Sequence, residues 1–106
     1  MDARIWLHER GHLHDGSVTF VRPTAADGLD VGIDDEWVNE RGLSRADGVE
    51  EPVVLRFEGV EVVSGSTSEM VDGTISSLEV DAGGDFRFVF CDRPMVVVRG
   101  RLSVLR

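Results

Sequence analysis

A short stretch near the start of the chain has the spacing of a zinc-protease motif. His8, Glu9, Arg10, Gly11 and His12 match H-E-x-x-H. In an α-helix this spacing places both histidines on one face, where they bind zinc while the glutamate activates a metal-bound water. A glycine inside the motif costs a helix about 1 kcal/mol relative to alanine, and no third-ligand motif follows at a familiar spacing. The sequence therefore disfavours a zinc hydrolase.

A β-hairpin is the interpretation that we favour for this stretch. Residues 4–8 and 12–14 would be its strands, with Arg10-Gly11 as the turn. Cross-strand partners share a face of a sheet, and His8 would face residue 13 rather than His12. The hairpin therefore predicts that His8 and His12 lie apart.

Metal binding by other pairings of the histidines is a weaker alternative. His12, His14 and Asp15 would share a sheet surface if residues 12–14 formed a strand. Solvated surface histidines are the simpler interpretation, so the sequence predicts no metal site and no cofactor.

The chain offers no other catalytic pattern. It contains no nucleophile elbow, no Walker loop and no G-x-G-x-x-G motif. Its single cysteine, Cys91, has no evident histidine partner, and we expect it to be a buried free thiol within a strand. We therefore expect a protein without enzymatic activity.

The least regular part of the chain, residues 34–51, surrounds Trp37 with carboxylates. A tryptophan in this setting is typical of an interface anchor with a charged rim, although a core tryptophan beneath a solvated loop fits equally well. Asp34 or Asp35 could cap a short helix ending near Arg41, and continuation of the preceding strand is the alternative. The candidate partner-binding residues are Asp34, Asp35, Glu36, Trp37, Glu40, Glu50 and Glu51.

The charge of the chain narrows the class of partner. Twenty acidic and eleven basic residues give a formal net charge of −9, and every basic residue is an arginine. Nucleic acids and anionic membranes attract proteins that carry a basic footprint, so the acidity disfavours both. It permits a basic protein partner, and solubility alone would also explain it.

The clearest structural pattern runs from residue 86 to residue 105. Phe86, Phe88 and Phe90 alternate, and after a turn at residues 92–94 the same phase continues through residues 96–104. This period indicates an antiparallel hairpin with one face on a core. Asp-Gly turns separate further predicted strands at residues 17–22, 29–33, 53–63 (with a bulge at Glu58-Gly59) and 73–80.

Together these patterns predict an all-β protein with a single domain over residues 1–106. We expect one antiparallel sandwich or strongly curled sheet of six to seven strands, with at most one short helix. No apolar run approaches the ~20 residues of a membrane span, and no secretory signal is visible. The cytoplasm is the expected compartment.

Two stretches resemble small bacterial β-proteins. Residues 13–18, LHDGSV, resemble their opening pattern of a hydrophobic residue, His-Asp, a small residue and an aliphatic residue. Residues 54–60, VLRFEGV, resemble their central strand, and Gly73, Ile75 and Leu78 precede an aromatic hairpin in the same order. These families are largely uncharacterised and include immunity-type proteins encoded beside polymorphic toxins.

The resemblance implies a binding function without a catalytic site. With the acidity of the chain, it favours an immunity-type inhibitor of a basic toxin such as a nuclease. A structural or accessory β domain is the first alternative. A metal binder or metallohydrolase that uses His8, His12 and His14 is the last.

Overall fold

One antiparallel sheet of six strands forms most of the chain that the computed structural model describes, which is residues 2–25, 27–34 and 53–105. The strands lie in the order β1-β2-β3-β6-β5-β4. The predicted all-β fold is confirmed, in the form of a single curled sheet. In chain order the elements are α1 (Ala3–Glu9), a 3₁₀ turn (Gly11–Leu13), β1 (Ser17–Thr24), β2 (Gly28–Asp34), β3 (Val53–Ser64), a 3₁₀ helix (Thr67–Met70), β4 (Ile75–Val80), β5 (Phe86–Phe90) and β6 (Val96–Leu105).

The two edge strands of the sheet meet at one end. Ser17 at the start of β1 bridges Thr74, which directly precedes β4. The Ile75 amide donates to the Gly16 carbonyl at 2.7 Å, and Asp15 donates to the Ile75 carbonyl at 2.9 Å. The sheet therefore curls until its edges touch, which shortens the exposed edge that another chain could extend.

The predicted aromatic hairpin lies at the centre of the core. Phe86 pairs with Val98 and Phe88 with Val96 across β5 and β6. Phe57 of β3 contacts Phe86 and Phe88 edge to face, with ring centroids 5.1 and 6.0 Å apart. Both Phe57 and Phe88 are fully buried, so aromatic packing joins the two halves of the sheet.

Glycine and aspartate turns follow the sequence pattern, with one difference. The predicted bulge is confirmed, because the β3–β6 register shifts after Glu58 and Gly59 has a φ of 63°. In the described Asp-Gly pairs it is the aspartate that is left-handed, with φ of 66°, 61° and 66° at Asp15, Asp27 and Asp72. Aspartate tolerates this conformation because its short side chain bonds locally to the backbone.

The predicted N-terminal hairpin is wrong, because a capped helix takes its place. The Oδ1 atom of Asp2 accepts hydrogen bonds from the Arg4 amide at 2.9 Å and the Ile5 amide at 3.3 Å. These bonds satisfy two of the amides that a helix leaves unpaired at its start. Ile5 is 58% exposed while Leu7 is buried, so the apparent alternation of these two residues does not mark a strand.

We expect that replacing Asp2 with alanine will lower the free energy of unfolding by about 1 kcal/mol, because α1 loses its cap. Urea denaturation measures this change. Glu9→Ala is a matched control, since Glu9 is an exposed carboxylate at the other end of the same helix. An equal loss in both variants would contradict a capping role for Asp2.

Two details of the strands also differ from the predictions. Strand β1 continues through Pro23 to Thr24, past the predicted end at residue 22, because β1 is an edge strand and proline is tolerated there. Cys91 is exposed rather than buried, since β5 ends at Phe90 and Cys91 begins the turn.

Within the described residues, no helix has the length and apolar character needed to cross a membrane.

Candidate functional site

The predicted acidic segment attaches to the middle of the sheet. Asp34 is the exposed last residue of β2, and Ile33 pairs with Val53 at the start of β3. The chain therefore leaves and re-enters the sheet at neighbouring positions. The predicted helix ending near Arg41 lies outside the described residues, as do the candidate residues Asp35, Glu36, Trp37, Glu40, Glu50 and Glu51.

The structure brings His8 and His12 together. Their ring centroids are 6.0 Å apart, with the rings nearly perpendicular. The prediction that they lie apart is wrong, because His8 is in α1 and His12 follows in a tight turn. His12 therefore folds back beside the last turn of the helix.

Two imidazoles and a guanidinium bond to the open edge of β4. His12 Nδ1 lies 3.3 Å from the Leu78 carbonyl oxygen, and His14 Nδ1 lies 2.8 Å from that of Ser76. Carbonyl oxygens only accept hydrogen bonds, so both Nδ1 atoms carry a proton. Arg4 adds a third bond from its Nη2 to the Asp81 carbonyl at 2.6 Å. These side chains cover a strand edge in place of a neighbouring strand.

The turn that holds His12 is strained. Gly11, His12 and Leu13 all have positive φ, at 58°, 55° and 57°. The left-handed conformation costs a residue other than glycine about 1–2 kcal/mol. Full burial of Leu13 and the bond from His12 to the strand edge offset this cost. The fold thus stabilises an unfavourable backbone that fixes the position of one imidazole.

A cleft of about 480 Å³ opens between α1 and strands β4 and β5. Its walls carry two guanidinium groups, two imidazoles and one carboxylate, with two aliphatic side chains beside them. With neutral imidazoles the lining has a formal charge of +1, whereas the whole chain carries −9. The lining residues are Arg4, Leu7, His8, His12, Glu79, Val80 and Arg87.

Arg87 has unused hydrogen-bonding capacity in this cleft. It pairs with Glu79 across β4 and β5, but the nearest ion-pair distance, from Nη2 to Oε2, is 3.6 Å. This exceeds the usual N–H···O distance. The Nε atom of Arg87 is buried and has no hydrogen-bond partner within the described part of the chain. Buried N–H groups are rarely left unpaired in proteins. The Arg87 side chain as a whole is 42% exposed and lines the cleft, so a ligand would have to meet its exposed part.

The cleft is poorly suited to a metal cation. Among the residues that the structure describes, no group of three or more metal-ligating side chains occurs. The guanidinium groups of Arg4 and Arg87 line the same space as the two imidazoles and would repel a cation. His14, the third histidine considered as a ligand, is bound to the backbone of Ser76 instead.

Three charged lining residues were not among those singled out from the sequence: Arg4, Glu79 and Arg87. A local signal points to each of the two arginines. Asp2 precedes α1 as a helix cap, which fixes the face of the helix that carries Arg4. Arg87 lies between Phe86 and Phe88, so the alternation of β5 places it on the face opposite to the core.

An ion pair between Asp30 and Arg56 links β2 and β3. The Arg56 Nε and Nη2 atoms donate to the two Asp30 carboxylate oxygens at 2.8 and 2.9 Å. Asp30 is the single buried charged residue among those described, with 7% of its surface exposed. The hydrogen bond from Arg56 lowers the pKa of Asp30, against the opposing effect of burial. This pair belongs to the scaffold, because it joins the two strands that residues 34–51 connect.

Comparison with protein-family models, with curated proteins and with solved structures gives no significant match. The structure therefore defines a class of architecture, a six-stranded curled antiparallel sheet with one short helix. The function has to be argued from the surface features of this chain.

Proposed function

We propose that this protein is a non-enzymatic binding domain of the immunity type, which acts in the cytoplasm and inhibits a basic toxin such as a nuclease. Residues 34–51 would form the contact. The observation that carries the proposal is that more than half of the net negative charge lies in this one segment, inserted between two paired central strands. It contains seven carboxylates and two arginines, a net charge of −5 out of −9.

The arrangement of the flanking strands favours presentation of this segment to a partner. Pairing of Ile33 with Val53 anchors both ends of the segment at one place on the sheet. This anchoring reduces the conformational entropy that the segment loses when a partner binds. Carboxylates concentrated at one site attract a basic partner over long range and compete for a surface that binds phosphates. Trp37, the one aromatic residue of the segment, would supply the buried anchor.

Addition of a strand to the sheet is a less favoured mode of binding. The start of β1 is bonded to the start of β4, and N-terminal side chains occupy carbonyls along β4. An extended peptide from a partner needs a free edge, and these contacts reduce it. The proposal therefore places recognition in the inserted segment.

Removal of the Trp37 side chain tests the proposal. Against a basic toxin of the kind that the proposal requires, to be sought among the proteins encoded beside this gene, we expect Trp37→Ala to weaken binding by about 2 kcal/mol, or roughly 30-fold in Kd. Most of the change should be in the dissociation rate, because an anchor acts after encounter. Surface plasmon resonance measures both rates. A melting curve run in parallel should show a folded variant with a melting temperature near that of the wild type.

Charge reversal separates steering from anchoring. We expect the double variant Asp35→Arg with Glu36→Arg to slow association and to flatten its dependence on salt. Glu9→Arg with Glu69→Arg makes the same change in net charge at exposed residues of the described part and should leave association much closer to wild type. If Trp37→Ala mainly lowers the melting temperature and neither reversal alters association, residues 34–51 belong to the scaffold and the proposal is wrong.

A further inference from the structure

We propose that the cleft between α1 and strands β4 and β5 binds the phosphate group of a small organic phosphate. This site is separate from the acidic segment, and the inference does not depend on the proposed inhibitory function. It rests on the convergence of donors in the cleft, on the long 3.6 Å contact that is the ion pair of Arg87 with Glu79, and on the size and lining of the cavity.

The hydrogen-bonding groups come from both sides of the cleft. Arg4 and His8 lie on α1, His12 on the strained turn and Arg87 on β5. Arginine is suited to phosphate because its planar fork donates two parallel hydrogen bonds. Arg4 already donates to the Asp81 carbonyl, which holds its side chain at the rim. Arg87, by contrast, has only a 3.6 Å ion-pair contact with Glu79, so no short hydrogen bond to that carboxylate holds its guanidinium.

The position of His12 adds a ring nitrogen to the cleft. Its Nδ1 is used by the Leu78 carbonyl, so Nε2 is the ring atom left for a ligand. The charged and titratable groups that face His12 across the cleft are Arg4, His8, Glu79 and Arg87.

The dimensions of the cleft indicate a ligand larger than free phosphate. Small-molecule sites commonly enclose about 300–1,000 Å³, and this cleft measures about 480 Å³. Leu7 and Val80 provide apolar surface next to the charged groups. This combination fits a phosphate held by the cations and an organic part packed against the aliphatic side chains.

Isothermal titration calorimetry with three probes tests the inference. We expect adenosine 5′-monophosphate to bind the full-length protein more tightly than inorganic phosphate does, and adenosine not to bind. Arg87→Gln should weaken binding of the nucleotide at least tenfold, the loss of one charge-assisted contact. Arg101→Gln removes the same charge from a side chain that is 81% exposed outside the cleft, and it should leave the affinity unchanged.

A second variant covers failure of the first variant to fold. His8→Gln alters an exposed residue of the cleft and should also weaken binding of the nucleotide, by about threefold or more. Absence of binding by both phosphate and nucleotide would overturn the inference. So would equal weakening by Arg87→Gln and Arg101→Gln, or phosphate that binds as tightly as the nucleotide.

Discussion

Replacement of Phe88 by alanine is expected to lower the free energy of unfolding by about 3–5 kcal/mol. Phe88 has no exposed surface. Its ring is stacked on that of Phe90 at 6.3 Å and meets Phe57 edge to face at 6.0 Å. In the sheet it lies between Leu78 of β4 and Val96 of β6. Truncation would leave a cavity where three strands meet. The loss of stability therefore includes both the hydrophobic burial of the removed atoms and the cost of the cavity.

Urea denaturation of Phe88→Ala and Phe88→Leu measures this effect. The leucine variant keeps most of the volume, and we expect it to lose less than about 1.5 kcal/mol. A domain has about 5–15 kcal/mol of stability in total, so the alanine variant should unfold at much lower urea. A loss below about 1 kcal/mol for alanine would mean that Phe88 contributes little to the core.

The strands could be predicted because their signals extend over many residues. Alternation from Phe86 through Val98 continues on both sides of a turn, and it specifies which face is buried whatever the partner strand is. The bulge at Gly59 was also predictable, because the apolar phase shifts at a glycine. The exposure at the end of β3 was not predictable in this way. Val62 continues the shifted apolar phase, yet 44% of its surface is exposed. No other described element covers it there.

The N-terminal helix could not be predicted from alternation. It has seven residues, about two turns, and so short a segment gives little evidence of a 3.6-residue period. Ile5, Leu7 and His8 fit a strand as well as a helix when the Asp2 cap is overlooked. If α1 is predicted as a strand, His8 and His12 are predicted to lie apart and no cleft is expected between them. One wrong assignment of the local period therefore hides a candidate site.

The cleft itself depends on long-range packing. Arg4 and the Asp81 carbonyl that it binds are 77 positions apart. Arg87 joins the site only because β5 pairs with β4 and α1 covers the edge of β4. Residue types and local spacing do not predict which residues line the cleft, because the order of the strands in the sheet decides which residues become neighbours.

Replacement of Asp30 by asparagine is expected to cost about 3 kcal/mol at pH 7, the lower end of the range for breaking a buried ion pair. Asparagine keeps the shape of the side chain but loses the charge that binds Arg56 through two hydrogen bonds. The lower end applies because the Arg56 side chain is 39% exposed and can turn toward water. Glu58→Gln is the control. It breaks the pair with Arg101, in which both side chains are at least half exposed, and surface pairs contribute about 0–1 kcal/mol.

Acid should remove the difference between wild type and Asp30→Asn. The hydrogen bond from Arg56 holds the pKa of Asp30 below the ordinary value of 3.8, so the unfolded chain takes up this proton more readily than the folded chain. The stabilising contribution is therefore complete above about pH 4 and is lost as the pH falls through the lower, folded-state pKa. Urea denaturation at pH 7, 4 and 2.5 should show that the difference in stability between wild type and variant is the same at pH 7 and about pH 4 and becomes smaller at pH 2.5. A difference between wild type and variant that stays constant down to pH 2.5 would mean that asparagine destabilises the protein through packing, and that the charge of Asp30 contributes nothing to joining β2 and β3.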